Sequence, residues 1–107
     1  MQTRKITRSI WAKENPHCFL CGARHMLETH EIARGVHRNK GVSLPAAWLR
    51  VCNACHRIVE GWPVARQLAL KKWCDFEFYD RVAVNLARGR QPEAITESEV
   101  DELMPRG

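Results

Sequence analysis

Two cysteine pairs constrain this chain more than any other feature. Cys18-Phe19-Leu20-Cys21 and Cys52-Asn53-Ala54-Cys55 share the C-x2-C spacing and are separated by 30 residues. Two residues between cysteines let both thiolates reach one ion from a tight turn. Two such turns supply the tetrahedral four-sulfur shell of a closed structural zinc site. Gly22 follows the first pair and suits the turn of such a knuckle. At 107 residues the chain fits one small domain with a thin core, and bound zinc contributes directly to its folding. Disulfides are the competing use. No apolar stretch of signal-peptide or membrane-span length is present, so the expected location is the cytoplasm, where thiols stay reduced. Neither pair lies at a strand-to-helix junction of a βαβ unit, which argues against a redox pair. The fifth cysteine, Cys74, is expected to be a small buried hydrophobe or a bystander.

Around this frame the chain reads as a single domain over residues 1–107, with an N-terminal helical segment (1–16), a zinc-stapled core (17–61) and a helical extension (62–107). Ile6, Ile10 and Trp11 have helical spacing within residues 3–14, and Pro16 ends that helix. Short apolar runs at 26–32 and 46–51 predict the two strands of a hairpin. Pro63 sits where a first helical position falls, and Ala65, Leu68, Ala69 and Trp73 give residues 64–73 an inward stripe. Trp48, Trp62 and Trp73 are expected to pack this helix against the zinc core. A further helix is predicted over 79–87, closed by Gly89. Thr96-Glu97-Ser98-Glu99 is a capping box opening a last helix through 103. The fold class is α+β.

Charge divides along the chain. Residues 1–57 carry ten Lys and Arg against three Asp and Glu, whereas 58–107 carry seven against nine. The basic half holds all five histidines and four of the five cysteines. A positive surface beside metal-type ligands points to a phosphate-bearing partner. Arg34, His37, Arg38 and Lys40 lie in a glycine-flanked loop suited to a nucleic-acid backbone, and Arg57 extends the same basic character. Nothing resembles a base-reading helix, so limited sequence preference is expected. The acidic stretch 93–104 reads as a surface helix or a docking element for a protein partner.

Glu28-Thr29-His30-Glu31-Ile32 ends the first candidate strand, and His56 directly follows Cys55. C-x2-C, a strand-end His motif and C-x2-C-H, in that order over residues 17–61, resemble the HNH endonucleases. His30-Glu31-Ile32-Ala33-Arg34-Gly35 and Val51-Cys52-Asn53-Ala54-Cys55-His56 are similar to small HNH-like proteins encoded by phages, as are Gly61-Trp62-Pro63 and Ala65-Arg66-Gln67-Leu68-Ala69. The resemblance implies a ββα-metal, treble-clef-like core and hydrolysis of DNA phosphodiester bonds. It implies a catalytic divalent ion, Mg2+, Mn2+ or Zn2+, beside the structural zinc of Cys18, Cys21, Cys52 and Cys55. It also extends the expected location to the cytoplasm of a phage's host cell.

By position, the resemblance makes His56 a ligand of the catalytic ion. Either His30 is a second ligand with Glu31 as general base, or His30 is itself the base. Two positions depart from the family pattern. Ala47 stands where the family has Asn, and Glu60 stands four residues after His56 where a His is common. Glutamate can ligate Mg2+ or Mn2+, so Glu60 favours a harder ion. The alternative these departures favour is a zinc-stapled nucleic-acid-binding or adaptor module without catalysis.

Overall fold

The computed structural model describes residues 4–32 and 43–104. Its centre is an antiparallel hairpin of β1 (Leu27–Glu31) and β2 (Trp48–Cys52). Leu27 lies opposite Cys52, His30 opposite Leu49, and Glu31 opposite Trp48. Strand side chains alternate between faces, so this register sorts the motif. Glu28 and His30 share one face with Val51 and Leu49, while Thr29 and Glu31 share the other with Arg50 and Trp48.

Five α-helices surround the hairpin among the described residues. The first, α1 (Arg8–Glu14), starts later than the predicted residue 3, because the Thr7 side chain accepts from the Ile10 N–H and caps the helix there. Asn15 closes it, donating through its side chain to the Trp11 carbonyl at 2.8 Å. Trp11 is buried against Phe19 and Trp48, with ring centroids 5.9 and 5.5 Å away, whereas Ile10 faces outward. A short 3-10 turn (Pro45–Ala47) leads into β2. Helix α2 (Asn53–Glu60) begins directly at the end of β2.

Pro63 is the capping residue of α3 (Val64–Cys74), one position ahead of its predicted place. Five consecutive residues of α3, Gln67 to Lys71, are buried. The inward face therefore differs from the predicted stripe: Leu68 and Ala69 are buried, but Trp73 is 55% exposed. Polar side chains explain the difference. Lys71 is fully buried, donating to the Trp48 carbonyl at 2.8 Å and to Asp75 at 2.6 Å, with its Nζ 4.8 Å from the Trp11 ring centroid. Asp75 also accepts from the Trp11 indole at 2.9 Å. Hydrophobic periodicity cannot detect a lysine held inward by a carbonyl and a carboxylate. Trp48 packs in the core as expected and Trp62 lies at its margin.

After a second 3-10 turn (Phe76–Phe78), α4 (Arg81–Ala87) is capped by Asp80 and closed by Gly89 at φ 73°. Tyr79 therefore precedes the helix that was predicted to begin with it. The predicted capping box opens α5 (Glu97–Glu102), with Thr96 and Glu99 bonding each other's backbone N–H groups. Val100 anchors α5 in the core. Its acidic side chains bind this chain itself: Glu97 accepts from Lys72, Tyr79 and Arg81, and Asp101 accepts from Lys72. No helix among the described residues is long and apolar enough to cross a membrane.

Burial lowers the Lys71 ammonium to about 8 from its ordinary 10.5, against the opposing pull of Asp75. Between those values the unfolded chain holds a proton that the folded chain has released, so stability rises with pH. The unfolding free energy should therefore rise by up to about 3 kcal/mol relative to Lys71→Met from about pH 8 to 10.5. Parallel urea titrations of the two zinc-loaded proteins check this, and parallel profiles would refute it.

Candidate functional site

The two C-x2-C pairs converge from different elements. Cys18 and Cys21 form a knuckle before β1, in which Gly22 takes φ 82° and donates to the Cys18 carbonyl at 2.9 Å. This is the backbone conformation for which glycine suits the turn. Cys52 ends β2 and Cys55 lies in the first turn of α2. The four Sγ atoms lie within 4.8 Å of one another, and those of Cys21 and Cys52 are 3.8 Å apart. A tetrahedron with Zn–S bonds of about 2.3 Å has S···S edges of about 3.8 Å. The donor set and its spacing therefore fit one zinc ion.

Backbone donors prepare the sulfurs for that charge. Cys21 N–H points to Cys18 Sγ at 3.4 Å, and Cys55 N–H to Cys52 Sγ at 3.5 Å. Burial pushes the Cys18 thiol up, but hydrogen bonds from the backbones of Cys21, Cys52 and Leu20 outweigh it and bring it down to about 6. Burial, followed by hydrogen bonding to the other three sulfurs, holds the Cys55 thiol well above its ordinary range. Cys74 stands apart, donating to the Phe19 carbonyl at 3.4 Å. Burial raises its thiol to about 11, which suits the expected bystander.

A second constellation lies on the sheet face opposite α1. His30 Nδ1 and His56 Nε2 are 3.1 Å apart, with the rings edge to face. His56 Nδ1 meets Glu28 Oε1 at 2.6 Å. On the buried side, His30 Nε2 meets Gln67 Oε1 at 2.7 Å, and Gln67 Nε2 donates to the Trp62 carbonyl at 2.9 Å. One line of close polar contacts thus runs from Glu28 at the surface through both imidazoles to the backbone before α3. His30 is 2% exposed and Gln67 3%. Next to His56 opens a polar hollow of about 310 Å³, lined by Glu28, Asn53, His56, Arg57 and Glu60.

The structure therefore brings His30, His56, Arg57 and Glu60 to one side of the hairpin, the last three around a single hollow. Glu31 goes to the other face, where its carboxylate pairs with Arg8, and Arg8 also donates to the Thr29 carbonyl at 3.1 Å. Arg34, His37, Arg38 and Lys40 lie outside the described residues. His17 packs beside Phe19, and His25 faces solvent. Two participants were missed from sequence. Glu28 carried a usable signal, since a residue two before His30 on a strand shares its face. Gln67 carried none, because it arrives from 37 residues downstream. Comparison with protein-family models, curated proteins and solved structures finds no match to this chain.

Zinc should hold the fold together. Apparent zinc-binding energies of roughly 10–16 kcal/mol for such sites are comparable to the roughly 5–15 kcal/mol total stability of a typical domain. Chelation, or Cys52→Ser, should abolish the near-ultraviolet circular dichroism of the buried tryptophans, and Cys74→Ser should leave the tightly held zinc unchanged. An unaltered spectrum after verified zinc loss would contradict this.

Proposed function

We propose that this chain is a metal-dependent endonuclease of the HNH type, hydrolysing DNA phosphodiester bonds from a zinc-stapled ββα-metal, treble-clef-like core. The observation that carries the reading is the convergence of His30 Nδ1 and His56 Nε2 at 3.1 Å beside an open, polar hollow. Two nitrogens bound to one divalent ion at about 2.1 Å, at roughly right angles, lie about 3 Å apart. The donor pair would suit Zn2+ or Mn2+ with His30 and His56 as ligands, and Mg2+ would draw instead on Glu60, an oxygen donor at the rim of the hollow. The ion would polarise the scissile phosphate and stabilise the leaving oxygen.

The residues then divide the work. His30, buried, with Nε2 held by Gln67 and Nδ1 turned towards His56, suits a ligand better than a mobile base. Glu31, paired with Arg8 on the opposite face, suits the base role less well than a carboxylate beside the histidines. Glu28 lines the hollow and is joined to His56, so it is the carboxylate placed to take the proton of an attacking water. Arg57 lines the same hollow and supplies positive charge for a phosphate. The basic loop with Arg34, His37, Arg38 and Lys40 would extend this contact along the DNA backbone.

A second reading has its own observation. Among the described residues, the four cysteines form the one group of three or more metal-type donors drawn together, and the histidine pair contributes two. A zinc-stapled DNA-binding or adaptor module without catalysis would need no more.

Supercoiled plasmid separates the readings. With Mg2+, Mn2+, Ni2+ or Zn2+ added in turn to zinc-loaded protein, nicking should appear with at least one ion. His30→Ala and His56→Ala should each lower it by roughly a hundredfold or more. DNA retention without nicking under every ion would sink the endonuclease and favour the module.

A further inference from the structure

The structure assigns to Gln67 the role of positioning residue for His30: it fixes the imidazole tautomer that turns the Nδ1 lone pair towards His56. The argument starts at a backbone atom. The Trp62 carbonyl only accepts hydrogen bonds, so the side-chain atom of Gln67 that meets it at 2.9 Å must be the amide nitrogen. The amide oxygen then faces His30, at 2.7 Å from Nε2. An amide oxygen only accepts, so His30 Nε2 carries the proton. In the neutral ring, Nδ1 is left with its lone pair, directed at His56 Nε2.

The same logic applies from the other end. Glu28 accepts from His56 Nδ1–H, so His56 Nε2 presents its lone pair to His30. Two lone pairs facing each other at 3.1 Å repel unless a cation, a shared proton or a metal ion, lies between them. Two hydrogen-bond acceptors outside the pair, one at the surface and one in the core, thus create the cation preference inside it. Gln67 is the more rigid of the two. It is nearly fully buried, sits on the central helix α3, and is held at both ends of its amide.

This role deepens the endonuclease reading and rests on it only for its consequence in catalysis. The tautomer is measurable without DNA. Nitrogen-15 spectra of the imidazoles in zinc-loaded wild type should show His30 protonated at Nε2. Gln67→Leu should lose that preference, and Mn2+ alone, titrated by its paramagnetic resonance, should bind roughly 10–100-fold more weakly. Gln67→Glu retains an oxygen acceptor and should restore the Nε2–H form. A wild-type His30 protonated at Nδ1 would overturn the assignment without any variant. So would a Gln67→Leu protein with unchanged tautomer and Mn2+ affinity, even if its wild type nicks plasmid. Loss of the tautomer in Gln67→Leu, from a protein that nicks nothing, would uphold the positioning role and overturn the endonuclease.

Discussion

The convergence of four sulfur atoms from two distant turns is the constraint on which the rest of this structure depends. One turn precedes β1 and the other joins β2 to α2, so closing the sulfur cluster fixes where the hairpin begins and where it ends. Register follows from that closure. In a strand, a slip of one residue exchanges the two faces. Such a slip would send His30 towards α1 and Glu31 towards α2, dismantling both the histidine pair and the Arg8–Glu31 ion pair. A two-stranded hairpin alone is marginal in water, which makes an external register pin physically necessary here.

Helix α3 carries the second organising role, because it serves the site and the core with side chains four residues apart. Gln67 reaches the histidines, while Lys71 reaches the Trp48 carbonyl and Asp75. Both are polar and both are almost fully buried. Buried polar groups are costly unless hydrogen-bonded, and these two bond backbone carbonyls and side chains on neighbouring elements. The outer side of α3 is tied down by charge instead, through Lys72 to Glu97 and Asp101 of α5. Glu93, Glu97 and Asp101 of the acidic C-terminal stretch thus pair with basic side chains of the same chain.

Local signals were legible and long-range polar ones were not. The C-x2-C spacing, the glycine of the knuckle, the two strands and the Thr96–Glu99 capping box all depend on residues close in sequence, and the structure contains each of them. The α1 and α4 helices start later than predicted because Thr7 and Asp80 cap them through their side chains. The inward face of α3 was misread because apolar periodicity assigns lysine and glutamine to solvent. At the histidine pair, His30 and His56 were legible as candidates, but the partner of each was not. Glu31 was the carboxylate named from sequence, but it lies on the face of Arg8, and Glu28 lies on the face of His30.

Cys52 has three structural duties: it ends β2, belongs to the sulfur cluster, and accepts the Cys55 N–H that opens α2. Zinc chemistry alone would permit an imidazole in its place, since histidine is a common zinc ligand. Helix initiation would not, because a ring nitrogen committed to the metal has no lone pair left for a backbone donor. A thiolate has several, so it can bind metal and N–H together. Cys52, like Cys18 with its own backbone donors, is therefore a ligand that histidine would not replace. Cys21, with its exposed position on the knuckle, is free of the helix requirement.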